Sequence, residues 1–559
     1  MTANPTKFLS KPGLVLKNPA LPLIISLGIM IIFDQVTWER QFGLQFLVLV
    51  LLVLTGLLIM AFLEKRHAPW TSYLLLVPIL LGAVMTAVYS AGITTFFNVI
   101  QALASLVLLA LTLLNGQWLG YRIREMLMGT LLLVQSVITE PVRVLIERAK
   151  SNLTQPASEK NAAWRRVRPY LLGVLLALPL LLILGALLAS ADMIFRQSLE
   201  RLFNWFRIDN LFDVIFRAAY ILIFGYALAG AFMHALTYSA EKKALSPDKP
   251  FLKPFLGHVE AFTVLSLVNL LFLGFIVVQF RYFFAGEANI SFDGFTYAEY
   301  ARRGFFELVV VAIISLGLHY LLSMFTKRPN PAQKRIFSAL GLLLLMQVGT
   351  MLVSAFQRLS LYEAAYGFTT LRTITHVFMI WLGVMLAAAA LMEIFNQFKR
   401  LALVLFLVLF GFTLTLNLLN VDGFIAQRNI AHAAAGHPLD AAYLLWNLGE
   451  DGIPVLFEQA QSAQTPEGVK ATLEAVLACR YARRSQEAER DHWAEWHLSA
   501  TRAEALFAAN KSELESYPFI TRTETHEVYN EGVEANPTFI ISAISVNGEE
   551  LWCTSTELN

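Results

Sequence analysis

Residues 43–63 read GLQFLVLVLLVLTGLLIMAFL, a stretch without a single charged side chain. A helix rises about 1.5 Å per residue, so about 20 apolar residues cross a hydrocarbon layer about 30 Å thick. That layer holds no water to satisfy backbone N–H and C=O groups, so a helix is the form that fits. The stretch therefore predicts a transmembrane helix.

Ten more stretches of this kind lie on either side of it. The eleven predicted spans are residues 20–34, 43–63, 72–91, 93–115, 169–190, 216–238, 259–280, 305–325, 336–356, 373–394 and 400–420. The whole chain is 57% hydrophobic and 15% charged, whereas an average globular domain has about 25% charged residues. We therefore predict an all-α polytopic membrane protein with about 11 transmembrane helices in residues 1–420.

Basic residues indicate the orientation of these helices. One set of alternate loops carries 24 lysines and arginines, whereas the opposite set carries ten arginines and no lysine. The positive-inside rule then predicts a cytoplasmic N-terminus and a cytoplasmic loop over residues 116–168, with everything after residue 420 outside the cytoplasmic membrane. Within that loop, residues 126–138 form a short apolar run between arginines. We interpret the run as an interfacial or buried cytoplasmic helix, because 13 apolar residues are short for a crossing. A crossing there would reverse the tail.

The tail, residues 421–559, has a different composition. It contains 21 acidic and 9 basic side chains, which argues against nucleic acid as a partner and against flat docking on anionic lipid. Apolar residues follow a helical period to about residue 510, and β-rich runs then flank Asn547-Gly548, a typical hairpin turn. The tail therefore predicts a small α+β extracytoplasmic domain.

Motifs for catalysis and metal binding are absent from the sequence. It contains no Walker loop, no metalloprotease or zinc spacing and no nucleophile-elbow motif, so we predict no catalytic residue, no metal site and no cofactor. Three histidines in apolar helices, His234, His319 and His376, are interpreted as interhelical hydrogen-bonding groups. The only cysteines, Cys479 and Cys553, predict either one disulfide or two buried thiols.

Polar residues gather in two predicted outer loops. Residues 297–308 read YAEYARRGFFEL, and residues 357–372 read QRLSLYEAAYGFTTLR. Arginine binds carboxylate and phosphate through its planar fork, and a carboxylate entering a span needs a partner. We expect the cluster to form one outer cavity and Glu307 to pair with an arginine. The candidate ligand-binding residues are Arg281, Tyr282, Tyr297, Glu299, Arg302, Arg303, Glu307, Arg358, Tyr362 and Arg372.

Several segments carry a family resemblance. They are YAEYARRGFFEL, the Arg281-Tyr-Phe-Phe stretch, LYEAAYGFTTLR, and the segment from Asn420-Val-Asp422 to Asn429 that leads into LDAAYLL. Over roughly residues 160–455 the chain resembles a family of bacterial multi-pass membrane proteins classed only as a domain of unknown function. The resemblance implies an integral membrane protein of bacteria and transfers no activity.

Three functions fit these observations. The sequence favours a non-enzymatic sensor, scaffold or assembly factor, embedded in the bilayer, whose acidic tail binds a protein partner. The first alternative is a transporter or flippase for an anionic solute or lipid bound on the outer face. The second is a transferase that acts on lipid-linked donors, with Asp34 and Glu39 in the first outer loop as candidate acids.

Overall fold

The computed structural model describes residues 15–40, 43–154, parts of 169–190, and 191–204, 211–240, 254–284, 305–486, 492–525, 528–530, 533–535 and 538–558. The helices of the membrane part are α1 (Leu21–Thr37), α2 (Gln45–Leu63), α3 (Trp70–Tyr73), α4 (Leu76–Val88), α5 (Gly92–Thr112), α6 (Ile123–Thr154), α7 (Met193–Asn204), α8 (Leu211–Thr237), α9 (His258–Phe284), α10 (Phe305–Phe325), α11 (Pro331–Tyr366), α12 (Thr370–Ile394) and α13 (Leu401–Leu419). The tail contains α14 (Val421–Ala434), α15 (Ala441–Trp446), α16 (Ile453–Gln461), α17 (Glu467–Gln486), α18 (Leu498–Ala509), α19 (Lys511–Glu515), β1 (Ile520–Thr525), β2 (Val528–Asn530), β3 (Val533–Ala535), β4 (Thr538–Val546) and β5 (Glu549–Leu558).

The polytopic helical class is confirmed. Ten helices among the described residues are long and apolar enough to cross a membrane. Nine of them coincide with predicted spans, and the tenth is Ile123–Arg148 within α6. The first predicted span is the 17-residue helix α1, which is shorter than the others, and residues 169–190 are only partly within the described set.

Helix α6 corrects one step of the sequence argument. The apolar run 126–138 belongs to a helix of 32 residues with Pro141 inside it. The run alone is short for a crossing, but that length argument does not hold for the whole helix. Its middle packs on α8, where the Oγ atom of Ser136 lies 2.9 Å from Nδ1 of His234. Gly230 provides the close approach, because a side chain there would overlap the backbone of Val137.

The chain forms two compact units. The first contains residues 1–81, 102–119 and 124–245. Helix α1 packs in it against α2 and α8, with Gly56 of α2 beside the side chains of Ile25 and Ile29.

The second unit contains residues 82–101, 120–123 and 246–559. Helix α11 packs against α9, α10 and α12, and α12 packs in turn against α13. Asn420, in the left-handed conformation, ends α13, and its side chain accepts the N–H of Gly423 to begin α14. Asn420 therefore makes a sharp turn between two helices of the same unit.

The tail shares its hydrophobic core with the last membrane helices. Buried side chains form one cluster that runs from Ile374 of α12 and Leu416 of α13 to Ile544 and Cys553 of the sheet. A three-stranded antiparallel sheet in the order β1-β4-β5 contributes the last residues of this cluster, while β2 and β3 pair separately. The tail therefore rests directly on α12 and α13.

The predicted secondary structure of the tail is confirmed. Helices continue to Glu515, and strands begin at Ile520. Asn547 and Gly548 both have positive φ, +51° and +83°, and join β4 to β5. Positive φ at both central residues defines the hairpin turn that Asn-Gly favours.

The two cysteines form a disulfide. Cys479 of α17 and Cys553 of β5 are bonded, with their Cα atoms 4.7 Å apart and a separation of 74 positions in sequence. Of the two alternatives that the sequence left open, the structure therefore has the bond. It ties the central helix of the tail to the last strand.

We predict that this bond exists in isolated membranes and stabilises the tail. Closing a loop of 74 residues lowers the conformational entropy of the unfolded chain, which stabilises the folded state by about 4 kcal/mol. A thiol-reactive polyethylene glycol should leave the denatured wild-type chain unmodified and add two labels after reduction. Cys479→Ser should take one label without reduction and unfold at a lower temperature. Two labels on the unreduced wild type would contradict the bond.

Candidate functional site

The structure describes four residues of the predicted outer cluster. Arg358 is half-buried and donates from Nη2 to Oε1 of Gln279 at 2.7 Å. The Arg372 guanidinium lies 4.1 Å from the ring centre of Tyr362 and donates to the carbonyl of Gly367. These contacts hold two arginines of the cluster in fixed positions.

Glu307, the fourth, is exposed in the first turn of α10. Arg281 and Tyr282 lie in the last turn of α9, and their side chains are outside the described set. Tyr297, Glu299, Arg302 and Arg303 lie outside the described residues altogether. The shared cavity and the pairing of Glu307 with an arginine stay predictions.

The sequence missed a buried histidine–carboxylate pair beside this cluster. Nδ1 of His376 lies 2.9 Å from Oε2 of Glu363, whose side chain is buried. Ser360 contacts the opposite ring nitrogen at 3.3 Å. A second pair forms near the other end of α12, where Nε2 of His319 lies 3.2 Å from Oε2 of Glu393. The interhelical hydrogen bonds predicted for His234 and His376 are confirmed, whereas His319 contacts Glu393 across two helices without a hydrogen bond of good geometry.

Asp34, the acid of the transferase alternative, is also bound. Its carboxylate accepts hydrogen bonds from Nε and Nη2 of Arg217, at 3.0 and 2.5 Å, and a third from Tyr220. The side chain of Asp34 is 97% buried. A carboxylate held by a bidentate arginine is stabilised as the anion, so this geometry favours a structural pair over a catalytic acid.

A buried aspartate connects the tail to the turn between α4 and α5. Oδ2 of Asp451 accepts the backbone N–H groups of Ser90 and Ala91, at 3.1 and 3.0 Å. The backbone carbonyl of Asp451 accepts from the side chain of Asn420 at 3.3 Å. We call this set of contacts the Asp451 clamp.

A second carboxylate lies close to the clamp. Asp422, in the first turn of α14, accepts the N–H of Gly449 at 2.9 Å. Gly449 is needed here because any side chain would overlap the carboxylate. Burial, reinforced by the charge of Asp451, raises the pKa of Asp422 to about 6. The two acids make this turn sensitive to protonation.

An arginine-lined pocket lies next to the 449–451 turn, since Leu448 and Glu450 line it. It has a volume of about 210 Å³, which is room for several water molecules or a small anion. It is lined by Leu445, Trp446, Leu448, Glu450, Ile453, Arg480, Arg483, Arg484 and Phe507. Three guanidinium groups thus share the pocket with one carboxylate, in a tail whose acidic residues outnumber the basic ones 21 to 9.

Each of these arginines is positioned differently. Nη1 of Arg480 donates to the carbonyls of Leu444 and Leu448, at 2.9 and 2.8 Å, and burial lowers the pKa of Arg480 to about 10. Arg480 therefore stays charged at neutral pH. Arg484 is paired with Glu450 at 2.7 Å, and Arg483 lies 4.8 Å from the ring centre of Trp446.

The sequence contained only part of the signal for this pocket. RYARR, residues 480–484, places Arg480, Arg483 and Arg484 within one turn of α17, so that they share a face. Helical spacing alone could not show that Trp446 and Glu450, some 30 residues earlier, line the same pocket.

Comparison with known proteins gives a family. Residues 76–459 match the profile of the domain of unknown function DUF4153. The chain belongs to this family. The resemblance inferred from the sequence over roughly residues 160–455 is confirmed, and the DUF4153 match extends it toward the N-terminus. Neither a curated protein nor a solved structure matches the chain.

The DUF4153 region covers one part of the candidate site. It contains Ser90, Asp422 and Asp451, whereas the three arginines of the pocket lie beyond its last residue, 459. The Asp451 clamp is thus within the DUF4153 domain, and the pocket combines Trp446 and Glu450 of that domain with arginines from the following helix.

We predict that Asp422 makes stability depend on pH. The ordinary pKa of this acid is 3.8 and the folded value is about 6, so the folded chain holds a proton that the unfolded chain releases between these pH values. The contribution of Asp422 to the free energy of unfolding therefore rises as pH falls from 7 toward 4, by up to about 3 kcal/mol. Asp422→Asn should gain stability relative to wild type at pH 7.5 and lose this advantage at pH 4.5.

Thermal unfolding of both proteins across this range tests the prediction. Glu458→Gln, which changes an exposed acid of α16, is the control and should keep a constant difference from wild type. If the difference between Asp422→Asn and wild type is the same at pH 7.5 and 4.5, Asp422 does not carry the effect.

Proposed function

We propose that the protein is a non-enzymatic sensor of the cytoplasmic membrane whose tail binds an anionic group in the arginine-lined pocket. The observation that carries this proposal is the concentration of three arginines around one cavity in an otherwise acidic tail. Guanidinium groups bind phosphate and carboxylate with two parallel hydrogen bonds, which favours anions of these two classes.

The lining supports binding rather than catalysis. The described residues around the pocket include no serine, cysteine or histidine, and its one carboxylate, Glu450, is paired with Arg484. Its polar groups are guanidinium groups and one carboxylate, and its apolar walls are Trp446 and Phe507 among others. Such a lining orients an anion without offering it a reactive partner.

The connection to the membrane helices supports a sensor. Glu450 lines the pocket and pairs with Arg484, while the next residue, Asp451, binds the turn between α4 and α5. An anion that competes with Glu450 for Arg484 would change the forces on this turn of the tail. The Asp451 clamp would then pass the change to helices of the membrane part.

Two observations support an extracytoplasmic tail. Disulfides persist in oxidising compartments outside the cytoplasm, and the tail contains the Cys479–Cys553 bond. Lysines occur in only one set of the membrane loops, which the positive-inside rule assigns to the cytoplasm. This arrangement requires that α6, although long and apolar enough to cross, stays on the cytoplasmic side. The pocket then receives ligands from outside the cell membrane.

Anion binding to the purified full-length protein tests the proposed function. Inorganic phosphate or succinate, compared with chloride at equal ionic strength, should raise the unfolding temperature of the wild type. The double variant Arg480→Gln/Arg483→Gln should need about tenfold more anion for the same shift, as expected when charge-assisted hydrogen bonds are lost.

A matched control distinguishes the pocket from general charge. Arg522 is an exposed arginine of β1 paired with Glu550, so Arg522→Gln removes the same charge elsewhere in the tail. This variant should respond like the wild type. Equal responses in all three proteins, or a wild type that responds to no anion beyond chloride, would refute the proposal.

A further inference from the structure

A groove between two membrane helices is separate from the arginine-lined pocket. Helices α9 and α11 both qualify as spans and pack side by side. Between them lies a cavity of about 180 Å³. It is lined by Phe275, Ile276, Gln279, Thr350, Met351, Val353, Ser354 and Gln357.

The groove borders the lipid-facing surface of the unit. Val353, which lines it, is 59% exposed. Leu273 and Val277 of α9 and Met346 of α11, near it in sequence, are 51%, 62% and 64% exposed. Apolar side chains that are exposed on a membrane span contact acyl chains. The cavity is therefore accessible to a lipid chain.

Polar groups mark one end of this groove. Oε1 of Gln279 accepts hydrogen bonds from Ser354 at 3.2 Å and from Nη2 of Arg358 at 2.7 Å. Arg358 lies one helical turn beyond Ser354, so a guanidinium group and two neutral polar groups gather beside an otherwise apolar cavity. This combination matches the charge and polarity of a lipid with an anionic headgroup.

A second polar pair lies deeper between the same helices. Asn269 and Gln347 are 4% and 6% exposed. Their amide N–H groups donate to the backbone carbonyls of Leu340 and Asn269. Oδ1 of Asn269 and Oε1 of Gln347 accept no hydrogen bond within the described part of the chain. These two N–H bonds join α9 to α11, the helices that form the walls of the groove.

We propose that the groove between α9 and α11 is a binding site for an anionic phospholipid. The phosphate binds beside Arg358, with Ser354 and Gln279 next to the ester region. One acyl chain fills the cavity along Ile276, Met351 and Val353. Arginine binds phosphate through charge-assisted hydrogen bonds, and the cationic group of a zwitterionic lipid of the same chain length offsets the phosphate charge that attracts the arginine.

Native mass spectrometry of the detergent-purified protein tests the site. With dioleoyl phosphatidylglycerol and dioleoyl phosphatidylcholine added separately, the wild type should bind the anionic lipid about tenfold more tightly, the effect of one charge-assisted hydrogen bond. Arg358→Gln should bind both lipids equally. Val353→Trp, which fills the cavity without removing a charge, should weaken both.

Two controls make the result decisive. Arg335→Gln changes an exposed arginine in the same helix, far from the groove, and should bind like the wild type. The pocket variant Arg480→Gln/Arg483→Gln should also keep its lipid binding. Loss of anion binding in the pocket can therefore be distinguished from loss of lipid binding in the groove. Equal binding of both lipids by the wild type would overturn the proposal. So would a lipid-free dimer that Val353→Trp dissociates, because a protein partner would then occupy the groove.

Discussion

The hydrogen bonds from Ser90 and Ala91 to the buried carboxylate of Asp451 are the constraint on which the second unit depends. They hold the turn between α4 and α5 against a turn of the tail that is 360 residues away in sequence. Tyr89 adds a bond to the carbonyl of Asn417 at 2.6 Å, and Asn98 exchanges two bonds with the side chain of Asn417. Without these bonds, several buried polar groups would lack partners at once, a costly arrangement in an apolar surrounding.

The clamp adds to a hydrophobic core that the tail shares with the membrane helices of the second unit. Its helices α14 and α17 share one core with α12 and α13, and the Cys479–Cys553 bond holds the distal sheet to that core. The arginines of the pocket therefore lie on a helix, α17, that packs in this shared core and is cross-linked to the sheet. A change at Glu450 can reach the membrane helices directly, because the next residue, Asp451, binds the turn between α4 and α5.

Much of the fold could be predicted because its signals are local. Hydropathy gave nine of the spans, and Asn547-Gly548 gave the last hairpin, since each depends on neighbouring residues. The pairs Asp34–Arg217 and Asp451–Ser90 could not be predicted, because they join residues 183 and 361 positions apart. The spacing of RYARR is compatible with a basic helical face, but only the fold brings Trp446 and Glu450 to it.

Hydrogen exchange of the full-length protein tests the clamp most directly. In Asp451→Asn, amides of the peptide spanning residues 87–95 should exchange about tenfold faster, as expected when bonds to a charged acceptor weaken. Peptides from α8, in the first unit, should keep their rates, and the exposed-acid variant Glu458→Gln should match wild type throughout. Unchanged exchange of residues 87–95 in Asp451→Asn would contradict the claim that this carboxylate binds the tail to the membrane helices.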